Sequence, residues 1–316
     1  MNQPDQATIL QAAQRIQPHI NRTPILTSES LNAMFHTSMY FKCENFQKAG
    51  AFKSRGACNA VFSLSETQLQ QGVATHSSGN HAQALARAAR LRNTKAHIVM
   101  PSDSSRVKVE AVRAYGGIIT FCVPTLEARE STLLTVIQAT GALEIHPYDN
   151  LQIIAGQATA ALELIQDTPP LHIILAPVGG GGLLSGTALS AHYFSPLTQV
   201  WAAEPQQADD AYQSFTQKTF IPSIQPNTIA DGLRTSLGTY TFPIILDHVQ
   251  RILTVSEADI ILAMKLIWER MKIIIEPSSA VCLAAIKQHP ELFTNKTIGI
   301  ILSGGNVDLD DLPWTN

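Results

Sequence analysis

The sequence has few charged residues and no strong excess of either sign. Charged residues make up 15% of its 316 residues, and the formal net charge is −3 at pH 7. A protein that follows a phosphate backbone needs a basic patch, and no long run of lysine and arginine supplies one. We therefore expect no nucleic-acid partner.

Cysteines and long apolar runs are scarce as well. The four cysteines lie far apart and form no CxxC pair, so neither a zinc site nor a disulfide framework is predicted. No uninterrupted apolar run reaches membrane-spanning length, and the polar start of the chain lacks the basic segment and apolar core of a signal peptide. We predict a cytoplasmic protein with no membrane partner.

Short apolar runs alternate with helix-like stretches over the whole chain. This alternation is typical of strands joined by helical crossovers, and it predicts an α/β fold with a largely parallel sheet. The hydrophobic share of 45% is enough for one large or two modest domains. The predicted strands are residues 39–43, 73–75, 97–100, 118–123, 173–178, 200–203, 252–255 and 298–302.

Three of these strands end directly in small polar sequences. They are THSSGN at 75–80, APVGGGG at 176–182 and LSGGN at 302–306. Ligands bind at the carboxyl ends of strands in open parallel sheets, so we expect these loops to form one cleft. No repeat or linker occurs, so a second domain must be embedded in the chain. We place a small domain at 72–143, within a large domain made of 1–62 and 144–316.

Four consecutive glycines follow the apolar strand HIILAPV and precede the helix-like LLSGTALSAHYF. Backbone amides without side chains, backed by a helix amino terminus, form a favourable phosphate site. A small turn kept for packing is the alternative, but four glycines in succession cost chain entropy, which favours the phosphate site. GxxxxGK[ST] is absent and GxGxxG fails at Leu183, which argues against a nucleotide motor and a dinucleotide dehydrogenase.

Lys53 lies in the sequence KAGAFKSRGA, between Phe52 and Ser54. A lysine that is desolvated by such neighbours loses its charge more easily and can form a Schiff base with an aldehyde. Most lysines are solvated surface charges, so this residue alone is weak evidence of covalent chemistry.

Four motifs together carry a resemblance to a known family. FKSRGA at 52–57, SSGNHAQ at 77–83, GGGG at 179–182 and SGGN at 303–306 resemble the fold type II pyridoxal-phosphate family of serine/threonine dehydratases and serine racemases. The similarity extends over nearly the whole chain. It implies open, mostly parallel sheets with helices on both faces, a large and a small domain, and a homodimer.

The resemblance assigns roles in binding pyridoxal 5′-phosphate. Lys53 would hold the aldehyde, with Phe52 against the pyridine ring. Asn80 corresponds to the residue that bonds the phenolic oxygen, and Ser303 to the hydroxyl that meets the pyridine nitrogen. Unlike a carboxylate, a hydroxyl does not keep that nitrogen protonated, which favours loss of a β-substituent over a long-lived carbanion. The phosphate would be bound by Gly179, Gly180, Gly181, Gly182 and Leu183.

The resemblance also assigns a loop to the substrate carboxylate. Ser78 is its most informative residue, because threonine dehydratases usually have alanine there and serine racemases have serine. Racemisation requires acid/base groups on both faces of Cα, and Lys53 and Ser78 could supply them. The same serine also occurs in 3-hydroxyaspartate dehydratases. The loop comprises Ser77, Ser78, Gly79, Asn80 and His81, of which the histidine is equally typical of a structural hydrogen bond.

Three further sets of residues match racemase positions. AAEPQQADDAYQ at 202–213 resembles a segment that binds Mg²⁺, Ca²⁺ or Mn²⁺ through Glu204, the Ala208 carbonyl and Asp210, with a solvated acidic turn as the alternative. Arg129 matches an arginine near the distal end of the substrate, where it could pair with a second carboxylate or form a surface ion pair. Positions that contact activating ATP in animal racemases are occupied here by Gln83, Tyr115 and Lys272, each also a common surface residue.

The sequence thus predicts an ammonia-lyase or amino-acid racemase that acts on serine or threonine. A threo-3-hydroxyaspartate dehydratase is the alternative within the family. A binding protein that kept this fold without catalysis is the alternative outside it, and the presence of Lys53, Ser78 and Ser303 weighs against that alternative.

Overall fold

A computed structural model describes residues 3–77, 79–104 and 106–314. It contains ten strands in these ranges, arranged in two sheets. The strands are β1 Ile25–Leu26, β2 Ser38–Cys43, β3 Val73–His76, β4 Ala96–Pro101, β5 Ile118–Cys122, β6 Leu143–Glu144, β7 Ile173–Pro177, β8 Gln199–Pro205, β9 Arg251–Val255 and β10 Thr297–Leu302.

The two sheets are both open and mostly parallel. The large sheet has the strand order β1-β2-β10-β7-β8-β9, and within it only β1 pairs in the antiparallel direction. The small sheet has the order β5-β4-β3-β6 and is wholly parallel. The predicted α/β fold class is therefore confirmed, as are all eight predicted strands. β1 and β6 were not predicted, since two residues are too few to form a pattern.

Helices cover these sheets. They are α1 Gln6–Ile16, α2 Glu29–Phe35, α3 Lys53–Phe62, α4 Glu66–Gln71, α5 Asn80–Leu91, α6 Arg106–Ala114, α7 Leu126–Thr140, α8 Leu151–Gln166, α9 Gly182–Phe194, α10 Asp210–Gln217, α11 Thr241–His248, α12 Glu257–Met271 and α13 Pro277–Gln288. None of the helices in the described ranges combines the length and apolarity needed to cross a membrane.

Helix α8 is the central support of the molecule, because every residue from 153 to 164 is buried. It approaches two neighbours so closely that glycine is required at the contacts. A Cβ atom on Gly156 would lie 2.6 Å from the Cα of Gly56 in α3, and one on Gly186 of α9 would lie 2.6 Å from the amide nitrogen of Ala158. Because α3 begins at Lys53 and α9 follows the glycine run, α8 fixes these two segments relative to each other.

Candidate active site

The amino terminus of α3 is attached to the loop after β10. The Phe52 amide donates to the Ser303 carbonyl at 2.9 Å, and Ala51 forms a β-bridge with Gly304. Lys53, the first residue of α3, thereby lies beside one of the three loops that the sequence places in one cleft, the loop after β10. Ser78, in the loop after β3, lies outside the described residues.

The surroundings of Lys53 favour the neutral form of its amine. Its Nζ donates to the Pro147 carbonyl at 2.8 Å and lies 5.1 Å from the centroid of the Phe52 ring. Desolvation lowers the pKa of the ammonium to about 8, against an opposing attraction from the Glu276 carboxylate. A substantial neutral fraction is therefore present near pH 8, as a nucleophile or base requires.

The glycine run forms a turn that side chains could not occupy. Gly181 has a φ of +87°, and a Cβ atom there would lie 2.8 Å from the Cβ of Thr241. A Cβ atom on Gly180 would overlap the ring of Tyr148. Helix α9 starts at Gly182, so the first-turn amides of Gly182 and Leu183 lack intrahelical acceptors. These amides and the helix dipole favour an anion.

A neighbouring loop supports the glycine run. Thr241 donates through Oγ1 to the Gly180 carbonyl at 2.9 Å and accepts from the Gly238 amide at 2.7 Å. The Asp149 carboxylate in turn accepts hydrogen bonds from the amides of Thr239 and Tyr240 at 2.8 and 2.7 Å. The turn is therefore held in place before any ligand arrives.

Asn80, the first residue of α5, has a hydrogen-bonding partner on each side of its amide. Its Nδ2 donates to the two carboxylate oxygens of Glu276, at 2.9 and 3.1 Å, and its Oδ1 accepts from Asn306 Nδ2 at 2.8 Å. Burial raises the pKa of Glu276 to about 7. The sequence analysis missed Glu276. Its place before Pro277 predicts only a helix start, whereas Asn306 is the last letter of the SGGN motif.

Ser303 is buried at the end of β10 and belongs to a small hydroxyl network. Its Oγ lies 3.0 Å from the Oγ of Ser279, which also contacts the amide and carbonyl of Gly304 at 2.8 and 2.7 Å. Ser279 was not singled out from the sequence. Ser279 therefore occupies one hydrogen-bonding position of the Ser303 hydroxyl. The hydroxyl keeps at least one other position for a ligand.

The loop after β3 is described on both sides of the gap at residue 78. The Ser77 amide donates to the Val99 carbonyl at 3.0 Å, and the Ser77 hydroxyl accepts from the Gly79 amide at 3.4 Å. His81 is 1% exposed, and its Nε2 is hydrogen-bonded to the Ile145 carbonyl at 3.1 Å. Burial lowers the pKa of His81 well below its ordinary value. This contact matches the structural alternative for the histidine.

Two histidines that the sequence analysis missed lie close to each other, and one of them, His146, is near enough to Lys53 to feel its charge. The rings of His76 and His146 have their centroids 6.2 Å apart. The Nδ1 of His146 accepts from the Asp149 amide at 2.9 Å, and burial lowers the pKa of this histidine to about 4. His146 is therefore neutral, with its proton on Nε2. Single histidines without a motif give no usable signal, so only the fold reveals them.

Arg129 on α7 acts electrostatically on one histidine of this pair, His76. Burial is the larger cause that lowers the pKa of His76, and the Arg129 guanidinium lowers it further. The Arg129 Nε is buried without a hydrogen-bond partner in the part of the chain that the structure describes. The surface ion pair considered from the sequence does not form within those ranges.

Two of the acidic side chains in the segment around Glu204 are buried. Glu204 is fully buried at the end of β8, and its carboxylate accepts from the amides of Ala211 and Tyr212 at 3.0 and 2.8 Å. Asp210 is 4% exposed, and its carboxylate oxygens accept no hydrogen bond of regular geometry from the described residues, although the Ser223 side chain lies close enough to lower its pKa. Burial raises the pKa of Asp210 to about 7 and that of Glu204 well above its ordinary value. Ala208, which lies between these two residues in the sequence, is also buried.

The three candidate nucleotide contacts are divided between the sheets. Gln83 lies on α5 and Tyr115 follows α6, both beside the small sheet, and the Arg90 guanidinium lies 5.2 Å from the Tyr115 ring. Lys272 directly follows α12, which lies beside the large sheet. Among residues 3–77, 79–104 and 106–314, no hydrogen bond or ion pair joins Lys272 to the other two.

Comparisons with known proteins agree with this arrangement. A family model described as pyridoxal-phosphate dependent enzyme matches residues 16–304. A β-hydroxyaspartate dehydratase from Paracoccus denitrificans is 50% identical over 311 residues, which cover 98% of this chain and 99% of the dehydratase. The crystal structure of serine racemase from Dictyostelium discoideum matches with a TM-score of 0.91 and 50% identity, covering 96% of this chain and 99% of that one. The crystal structure of T.th. threonine deaminase matches with a TM-score of 0.92 and 40% identity, covering 97% and 99%.

Proposed function

The chain belongs to the pyridoxal-phosphate dependent enzyme family, and from this premise we propose that it removes the α proton of a small hydroxy amino acid such as serine or threonine. Return of the proton on the other face gives racemisation, whereas loss of the β hydroxyl as water, followed by hydrolysis of the product, gives a keto acid and ammonia. The observation that carries this proposal is the position of the Lys53 amine, at the start of α3 beside the loop after β10 and hydrogen-bonded to the Pro147 carbonyl, with its pKa lowered to about 8.

The residues at the cleft fit pyridoxal 5′-phosphate. The free amides of Gly182 and Leu183 suit its phosphate, and Asn80 and Ser303 suit its phenolic oxygen and ring nitrogen. When bound, the group supplies an aldehyde for an amino group and a ring that accepts electrons from Cα.

The chain's own residues remove the proton from Cα and return it. We assign Lys53 as the base on one face of Cα, because its neutral form is well populated near pH 8. Ser78 is assigned to the opposite face on the strength of the family resemblance. The neutral His146 beside the cleft adds polarity without adding a charge.

Replacing Ser78 with alanine tests the assignment of two faces. Ser78→Ala is expected to abolish serine racemisation and attack on D-serine, while part of the dehydration of L-serine remains on the Lys53 face. D-serine and pyruvate should be measured from each enantiomer separately, with Ser131→Ala on the exposed side of α7 as the control. Unchanged D-serine production by Ser78→Ala would remove the two-base mechanism, and complete loss of pyruvate from L-serine would assign Ser78 to elimination as well.

A threo-3-hydroxyaspartate dehydratase is the second candidate function. It is supported by the 50% identity to a β-hydroxyaspartate dehydratase and by Arg129, whose buried Nε has no partner in the described ranges. A guanidinium in this state is suited to a second substrate carboxylate. The holoenzyme should be assayed with L-serine, L-threonine and L-threo-3-hydroxyaspartate, reading keto acid and D-serine. No product from any of them would refute both candidate functions.

A divalent cation is proposed for Glu204, the Ala208 carbonyl and Asp210. The support is the pair of buried carboxylates, Glu204 and Asp210, of which Asp210 accepts no hydrogen bond of regular geometry from the described residues, since an oxygen-rich site suits Mg²⁺, Ca²⁺ or Mn²⁺. No group of three or more histidine, cysteine, aspartate or glutamate side chains in the described residues forms a metal cluster. The site would therefore need the carbonyl or water as a third ligand.

Adding one of these cations to chelator-treated protein is expected to raise its melting temperature, because the ion binds the folded form. Protons compete for Asp210 below its pKa of about 7, so the rise should be larger at pH 8 than at pH 6. Without a cation, the raised pKa means that stability falls as the pH rises towards 7. Asp210→Asn should lose the response and the neighbouring Asp209→Asn should keep it. Equal melting with and without every ion would contradict the site.

The remaining assignments are also proposals. A large domain of residues 1–62 and 144–316 and a small one of 72–143 are supported by the two separate sheets. A homodimer, which sedimentation would detect, is supported by the racemase resemblance. ATP as an activator at Gln83, Tyr115 and Lys272 calls for an ATP titration of activity. The cytoplasmic location stays a prediction.

A further inference from the structure

Glu276 is a buried carboxylate that does not serve its own helix. It stands at the amino-terminal cap of α13, yet its side chain makes no capping hydrogen bond there. It is 4% exposed and instead accepts from Asn80 Nδ2 through both oxygens. Gly304 leaves room for it, because a Cβ atom at that position would lie 2.8 Å from Glu276 Oε1.

The orientation of the Asn80 amide is set from both ends. A carbonyl only accepts hydrogen bonds, so the Ala49 carbonyl, 2.8 Å from Asn306 Nδ2, determines which way the Asn306 amide faces. That same Nδ2 also donates to Asn80 Oδ1 at 2.8 Å, so the Asn80 oxygen must point towards Asn306. An ionised carboxylate likewise only accepts, and it draws the Asn80 nitrogen towards Glu276.

One amide hydrogen of Asn80 remains after these contacts are made. Nδ2 carries two hydrogens, and its bonds to the two oxygens of a single carboxylate can share one of them. The other is free to meet a ligand. Glu276 and Asn306 lie beside the large sheet, whereas Asn80 begins the helix after β3 of the small sheet. The contact therefore also joins the two sheets across the cleft.

We propose that Glu276 is a positioning residue, which holds the Asn80 amide so that its remaining hydrogen faces the phenolic oxygen of pyridoxal 5′-phosphate. This inference rests on the proposed function, which gives Asn80 that partner. The ionised carboxylate does this better than a neutral group, because a charge-assisted hydrogen bond is about twice as strong as a neutral one.

Other charges around Glu276 bear on its protonation. Asp231 favours the protonated form, Lys108 favours the ionised form, and Lys53 attracts the carboxylate from α3. Lys108 and Asp231 also form an ion pair with each other. With burial the pKa is raised to about 7, so the orientation of Asn80 should weaken as the pH falls through neutrality.

The test compares Glu276→Gln with wild type at pH 8 by the absorption spectrum of the bound cofactor and by its dissociation constant. We expect a shifted absorption band and an affinity about tenfold weaker, since losing one charge-assisted bond has that effect. Wild type at pH 6 should shift in the same direction. Glu257→Gln is the control, because the Glu257 carboxylate accepts from the backbone amide of Ile229 instead of from Asn80.

Further variants separate the possible failures. Asn306→Ala removes the other contact of Asn80 and should shift the band in the same direction, which keeps the proposal testable if Glu276→Gln does not fold. If Asn80→Ala shifts the band and Glu276→Gln leaves both spectrum and affinity unchanged, Glu276 has no positioning role. If Asn80→Ala also leaves the spectrum unchanged, or wild type binds no cofactor, the proposed function itself fails.

Discussion

Replacement of Lys53 by alanine is expected to lower the turnover of every substrate by about three to six orders of magnitude, because one amine serves both as cofactor anchor and as base. Borohydride treatment of the wild-type holoenzyme should leave a cofactor label on the peptide that contains Lys53. The variant should carry none. Its melting temperature in the absence of cofactor should change little, because among the described residues the amine makes a single hydrogen bond, to the Pro147 carbonyl.

The pH dependence of cofactor capture gives a separate measurement on Lys53. Only the neutral amine attacks an aldehyde, so the capture rate of the cofactor-free protein should rise about tenfold per pH unit below the pKa and level off above about 8. An unperturbed lysine would keep rising to beyond pH 10. Lys48→Ala is the control, because Lys48 is exposed and only five residues away. A label on another lysine would refute the assignment.

The parts of the fold that were predictable are those in which one local pattern suffices. An apolar run such as residues 173–178 predicts a buried strand on its own, and four successive glycines predict a turn that side chains cannot enter. β1 and β6 have two residues each, and their pairing depends on neighbours that are distant in the sequence. No local pattern specifies such strands.

The candidate site was predictable only where a motif marked it. Lys53, Asn80 and Ser303 each lie in a recognisable sequence, whereas Glu276 meets Asn80 across 196 residues. A glutamate before a proline predicts a helix start, and nothing nearby indicates that it lies in the cleft. Arg55 was passed over for a similar reason. Charged residues usually lie at the surface, and its two carboxylate partners are 11 and 108 residues away.

Arg55 is the centre of a buried ion network behind Lys53. Its guanidinium is 0% exposed and makes two bonds to the Glu44 carboxylate, at 2.7 and 2.8 Å, and two to that of Glu163, at 2.9 and 2.8 Å. Lys42 completes the network at 2.6 Å from Glu163 and 2.7 Å from the Thr23 carbonyl. Two cations and two anions therefore balance in the interior.

Removing one member leaves charges without partners in a region that water does not reach. Arg55→Ala is expected to lower the free energy of unfolding by about 3–5 kcal/mol at pH 7, because the desolvated carboxylates lose their main compensation. Denaturant unfolding of wild type and variant measures this loss. Cofactor affinity should fall too, because Arg55 lies in the same first helical turn as Lys53.

The comparison variant is Arg22→Ala, which breaks an exposed ion pair with Asp167 and should cost less than about 1 kcal/mol. The pH dependence supplies a second criterion. Arg55 holds the pKa of Glu163 below its ordinary value, so wild-type stability from this group is present at neutral pH and is lost as the pH falls through that lowered pKa. Without Arg55, Glu163 can take up a proton more easily, and the deficit of the variant should shrink towards pH 5. An equal, small and pH-independent loss for Arg55→Ala and Arg22→Ala would contradict a structural role for the network.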